Sequence, residues 1–101
     1  MIVVRDVFRL KFGQAREATE LWKQAASLLK NSGYGVKATR LLTDVAGPSY
    51  YTIVLESTFD SLADWEKAAL AARSNTQWRE VYQRIVALTE EGRREVLAVV
   101  A

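Results

Sequence analysis

Asp6 is the residue of this chain hardest to absorb into a scaffold. It falls in phase with Ile2, Val4, Phe8 and Leu10 in an alternating run, so a carboxylate shares the apolar side of a strand. A carboxylate turned toward a core must be paired, hydrogen-bonded or protonated. Two chemistries follow. Asp6 is half of a structural ion pair, with Arg40 as the cation in phase with Val36, Ala38 and Leu42 on a second strand, or it is an acid that orients a ligand or transfers a proton in a pocket. Trp22, Trp65, Trp78, Tyr51 and Tyr82 lie on inward stripes and either fill a core or line a cavity for a flat hydrophobic molecule. The candidate pocket set is therefore Asp6, Arg40, Tyr51, Trp65, Trp78 and Tyr82, with Asp6 the one catalytic candidate. Tyr34, between Gly33 and Gly35, reads as a turn aromatic or the rim of a pocket mouth.

What is missing narrows the chemistry further. The chain has no cysteine and no histidine, which removes thiol nucleophiles, imidazole bases and the usual zinc, iron-sulfur and haem ligands. No clustered acidic loop suits magnesium or calcium, so neither a metal nor a cofactor is expected. Fourteen basic and twelve acidic residues are spread along the chain for a net charge of +2, the pattern of a solvated surface rather than a nucleic-acid footprint. No apolar run is long enough to span a bilayer, and charge enters by Arg5 and Asp6, so no secretory signal or membrane association is expected and a cytoplasmic location is the expectation.

These side chains need elements to hold them. Residues 2–12 alternate as a strand that Gly13 breaks; Ala18, Leu21, Trp22, Ala25, Leu28 and Leu29 then form one helical stripe, closed at Asn31-Ser32-Gly33. A second strand over 35–44 carries Val36, Ala38, Arg40 and Leu42 on one side and Lys37, Thr39, Leu41 and Thr43 on the other. Ala46-Gly47-Pro48-Ser49 turns the chain into a third strand over 50–58. Ser61 with Asp64 three residues on is a capping-box start for a helix that buries Leu62, Trp65, Ala69 and Ala72. Ser74-Asn75-Thr76 interrupts it, a further helix presents Trp78, Val81, Tyr82, Ile85 and Leu88 until Gly92, and residues 94–101 close as a strand. The predicted architecture is α+β: one ferredoxin-like βαββαβ domain over 1–101, a four-stranded antiparallel sheet with helices on one face. The third and last strands carry apolar residues on both sides, Tyr51, Ile53 and Leu55 against Tyr50 and Val54, and Val96, Ala98 and Val100 against Leu97 and Val99. Helices cover only one side, so a homodimer through the other sheet face is expected.

Leu10-Lys11-Phe12-Gly13, Leu21-Trp22, Gly47-Pro48 and Phe59-Asp60-Ser61-Leu62-Ala63-Asp64 followed by Trp78 resemble the dimeric α+β barrel superfamily, and within it the NIPSNAP-like and antibiotic-biosynthesis-monooxygenase-like proteins. The resemblance covers nearly the whole chain. It implies two sheets paired into a barrel and a pocket between sheet and helices; members include cofactor-free and haem-degrading monooxygenases, dehydratases and proteins of unknown role. The sequence departs from the NIPSNAP-like pattern at Leu55 and Ser57, where such proteins often carry a His and a Trp, and at Asp6, near which they often carry an Arg.

The same element order occurs in RNA-recognition domains, but Ser49-Tyr50-Tyr51-Thr52-Ile53-Val54-Leu55-Glu56 lacks their glycines, cation and spaced aromatics, so no nucleic acid is expected. The reading that follows is binding of a small apolar or aromatic molecule between sheet and helices. The alternatives are a cofactor-independent monooxygenase or related enzyme of aromatic or polyketide metabolism, and a structural or interaction module whose own rings fill the pocket.

Overall fold

A computed structural model of the chain describes residues 1–31, 35–47 and 50–101. The turns expected at Ser32-Gly33-Tyr34 and Pro48-Ser49 lie outside the described residues. Among the described residues the elements follow in the order β1 (Ile2–Leu10), α1 (Ala15–Lys30), β2 (Val36–Thr43), β3 (Thr52–Phe59), α2 (Leu62–Ser74), α3 (Thr76–Ala87) and β4 (Thr89–Ala98). The strands form one antiparallel sheet in the order β2-β3-β1-β4, so β2 and β4 are its edges. This is the ferredoxin-like α+β arrangement, its second helical segment broken in two. Among the described residues, no helix is long and apolar enough to cross a membrane.

Local chemistry explains the element boundaries. The apolar stripe of α1 buries Ala18, Leu21, Trp22, Ala25 and Leu29 against the sheet. Ser61 caps α2 by accepting the Asp64 N–H at 3.2 Å. Asn75 ends α2 in extended conformation and starts α3, its Oδ1 accepting the Trp78 N–H at 3.0 Å, so one residue both stops a helix and caps the next. The α2 stripe is narrower than the spacing predicts: only Ala68 is fully buried and Leu62 is exposed.

The even-numbered residues of β1 face the helices together with Ile53, Leu55, Ser57 and Phe59 of β3, and the layer between is filled by Trp22, Phe59, Ile53 and Ile85. Two strands depart from the sequence reading. In β2 the register shifts between Val36 and Ala38, so a bulge at Lys37 puts Val36, Thr39 and Leu41 on the helix side and Ala38, Arg40 and Leu42 on the open side. Strict alternation across that point assigned Arg40 to the side of Val36, and the extra residue overturns it. In β4 the strand starts at Thr89, and Gly92 lies within it opposite Phe8 rather than ending a helix. A Cβ on Gly92 would stand 2.7 Å from Phe8 Cδ1, so the absence of a side chain lets the Phe8 ring cross the neighbouring strand.

Candidate functional site

The helix layer covers β1, β2 and β3 but leaves β4 largely open, and Arg94, Val96 and Ala98 are exposed on the helix side of that edge. A cleft of about 420 Å³ runs there between α3 and the sheet, with Asp6, Phe8, Tyr82, Ile85, Val86 and Arg94 in its walls. A second cleft, about 520 Å³, lies between α2 and α3 and includes Ala72, Trp78, Arg79 and Gln83. Tyr82 and Arg94 line both, so they form the shared wall.

The polar centre is an ion pair that the register dictates. Asp6 pairs with Arg94 across β1 and β4, and Arg94 Nε donates to Asp6 Oδ1 at 2.6 Å. The guanidinium also lies over the Trp65 ring, Cζ 5.3 Å from the centroid. A carboxylate on one edge and an aromatic face below hold the group in place and leave its terminal nitrogens as a planar fork of donors, the geometry that receives carboxylate, sulfonate or enolate oxygens. Asp6 is thus paired, but not with Arg40.

Rings build the apolar wall. Phe8 stacks on Trp22 at 4.9 Å, Trp22 meets Tyr82 edge-on at 6.5 Å, and Tyr82 stacks on Trp78 at 6.2 Å. Trp22 is 1% exposed and anchors this series from the core, while Tyr82 and Trp78 carry it outward along α3 to the two clefts. The arrangement suits a flat apolar body against Tyr82, Ile85 and Val86 with a polar oxygen toward Arg94.

Of the six residues nominated from sequence, Asp6, Trp65, Trp78 and Tyr82 gather around Arg94 and these clefts. Arg40 does not: it lies on the open face and donates to Glu56 Oε1 at 2.8 Å. Tyr51 does not either. It precedes β3 with φ of +57°, a conformation rare for residues with a Cβ, and meets Phe12 edge-on at 5.2 Å. Tyr51 lines a larger cleft, about 730 Å³, near the start of α1 with Leu10, Ala15, Thr19 and Thr43. Size alone favours that cleft, but among the described residues its guanidinium, Arg16, is not fixed by both a carboxylate and a ring, so the site is assigned beside β4. Sequence reasoning missed Arg94 and Phe8. The available signal was that Arg94 shares the phase of Val96 and Ala98 in a closing strand.

Comparison with solved structures finds this fold repeatedly. The chain is similar to an uncharacterized NIPSNAP domain protein from Burkholderia xenovorans, with a TM-score of 0.81, 17% identity and coverage of 100% of this chain and 96% of that one. It is similar to a NIPSNAP family protein from Agrobacterium tumefaciens, with a TM-score of 0.82, 16% identity and coverage of 98% and 85%. It is also similar to a cofactor-independent oxygenase from Streptomyces nogalater, with a TM-score of 0.75, 11% identity and coverage of 97% and 91%. No protein-family model and no curated protein sequence matches the chain. The resemblance read from the sequence therefore holds for the fold, which the chain shares with NIPSNAP and antibiotic biosynthesis monooxygenase structures.

Proposed function

We propose that the chain binds a small, flat, apolar or aromatic molecule carrying an acidic oxygen in the cleft beside β4. The observation that carries this reading is the Arg94 guanidinium, bonded to Asp6 and lying over Trp65, in a wall shared with Tyr82. The apolar body packs on Tyr82, Ile85 and Val86, and the oxygen takes the terminal nitrogens of Arg94. Calorimetric titration with 2-naphthoate and with 2-naphthalenemethanol tests it. The acid is expected to bind more tightly than the alcohol, and Arg94→Met to weaken the acid about tenfold and abolish the preference, the loss of one charge-assisted contact. Absence of binding by either compound at millimolar concentration overturns the proposal in favour of a structural module whose rings serve only the scaffold.

A second reading is cofactor-independent oxygenation of an aromatic or polyketide substrate, favoured by the Asp6 carboxylate in the cleft wall and the similarity in fold to an oxygenase of that kind. In it, Asp6 accepts the proton of a phenolic hydroxyl and dioxygen is the co-substrate. Oxygen uptake with a polycyclic phenol, lost in Asp6→Asn, supports this reading; no uptake with the parent protein removes it.

The chain also acts, in this proposal, as a homodimer through the open sheet face. Leu97, opposite Val3 on that face, is 47% exposed. Four strands of about eight residues present roughly 500 Å² of planar face per copy, so a pair reaches about 1,000 Å² in total, the lower bound of a specific interface. A stable monomer at micromolar concentration in sedimentation rules the dimer out.

A further inference from the structure

The open face of the sheet is ordered in rows that cross the strands. One row reads Arg40, Glu56, Arg5, Glu95, a strict alternation of charge from β2 through β3 and β1 to β4. Its members are joined in sequence: Arg40 Nε to Glu56 Oε1 at 2.8 Å, Arg5 Nε to Glu56 Oε2 at 3.4 Å and Arg5 Nη1 to Glu95 Oε1 at 3.6 Å. A less polar row flanks it on each side, Leu42, Val54, Val7 and, at its β4 end, Arg93 on one and Ala38, Thr58, Val3 and Leu97 on the other. Arg40 is the most accessible member of the charged row, its side chain 66% exposed; Glu95 and Arg5 are partly exposed, and Glu56 is largely enclosed.

A row that begins with a cation and ends with an anion is complementary to its own reverse. We infer that this row is the element by which the open face recognises a second copy of the chain, and that it sets how the copies are seated. The inference rests on the dimer reading above. A two-fold axis running along the strands between β3 and β1 reverses the strand order, placing Arg40 of each copy opposite Glu95 of the other and Glu56 opposite Arg5. The same operation lays Val54 over Val7 and Ala38 over Leu97, so apolar atoms meet there, while Leu42 faces the stem of Arg93 and Thr58 faces Val3. An axis running along the charged row instead stacks each charge on itself, four like-charge contacts in a face that excludes water. Sheets packed face to face stand about 10 Å apart, a gap that Arg and Glu side chains reach across. The alternation thus admits one seating and opposes the other, and the carboxylates and guanidiniums entering the interface arrive already paired within each chain.

Charge reversal at the two ends tests this, because Arg40 and Glu95 stand on opposite edge strands, about 14 Å apart in one chain, and do not touch each other within it; each reversal also gives up an intrachain contact, with Glu56 or with Arg5, which the double variant and the mixture do not restore. Sedimentation equilibrium is measured on the parent, Arg40→Glu, Glu95→Arg and the double variant, with circular dichroism verifying that each is folded. Each single variant is expected to raise the dimer dissociation constant tenfold or more. The double variant is expected to return to within about threefold of the parent, and an equimolar mixture of the two single variants to form heterodimers in which both contacts are restored. Should either reversal unfold the chain, Arg40→Gln and Glu95→Gln replace them; each must weaken the dimer, and their effects must fall short of additive. A parent dimer whose affinity ignores these changes, or a double variant worse than both singles, overturns the seating while leaving the dimer intact. A parent that stays monomeric overturns both.

Discussion

Replacing Asp6 by Asn isolates the ion pair at the centre of the proposed site. The Arg94 Nε to Asp6 Oδ1 bond is 2.6 Å, at the short end for a charge-assisted contact, yet its partners differ in solvation, with side chains 16% exposed for Asp6 and 50% for Arg94. Hydrogen bonds to charged groups contribute about 1.5–3 kcal/mol, and exposed ion pairs about 0–1. Screening at Arg94 discounts the pair to about 1–2 kcal/mol. Asn keeps an acceptor oxygen for Arg94 and loses only the charge, so Asp6→Asn is expected to cost about 1 kcal/mol, or about 5 °C in Tm for a chain of this size. Asp6→Ala is expected to cost about 2 kcal/mol: the half-exposed guanidinium turns to water instead of being stranded, which avoids the roughly 3–5 kcal/mol of a broken buried pair. Urea unfolding followed by tryptophan fluorescence, at one protein concentration for all variants, reads these values, and a cycle with Arg94→Met isolates the pairwise part. A loss above about 3 kcal/mol for Asp6→Asn means the pair is sealed from water, and a coupling near zero means it does not form in solution; either result refutes the reasoning.

Trp22→Ala is expected to cost about 3–5 kcal/mol in the same assay, against about 2–3 for the partly buried Trp65→Ala, and equal losses would show that the two rings are not buried unequally. Trp22→Phe is expected to cost under about 1.5 kcal/mol, because the indole N–H is buried without a partner and the stack on Phe8 is kept. Gly92→Ala is expected to destabilise by about 1–3 kcal/mol as Phe8 is displaced, and an unchanged melting curve would show that the ring has room to move.

The elements legible in the sequence are those whose signal is local. The α1 stripe, the Ser61 cap, the Asn75 break and the alternation of β1 and β3 each need only a few neighbouring residues, and each is found in the structure. What the sequence hid is long-range. The partner of Asp6 depends on the register of β1 against β4, eighty-eight positions away along the chain, and no local pattern carries that register. Arg40 was misplaced because an alternation is read on the assumption that one residue opposes one residue. Tyr51 reads as the first inward residue of a strand, but its backbone bends into the left-handed region, where its carbonyl accepts the Leu10 N–H at 2.7 Å. Gly92 reads as a helix stop because glycine ends helices more often than it lies under a ring on an adjacent strand.

The bulge at Lys37 also gives the chain slack in length on one edge strand, as the register shift at Glu90 does on the other, with nothing comparable where β1 pairs with β3. Edge strand β2 carries one residue more than its ladder with β3 requires, so removing Lys37 closes the ladder and leaves Thr39 and Leu41 inward and Arg40 and Leu42 outward, at the expense of the 3.2 Å Lys37–Asp60 contact. The central strands have no such reserve. Their pairing runs residue for residue from Ile2 against Phe59 to Arg9 against Thr52, so one amino acid inserted within either would invert every side chain beyond it, sending arginines into the helix layer and aliphatics out of it. Insertions and deletions of a single residue should therefore be tolerated at the margin of this sheet and lethal to the fold at its centre.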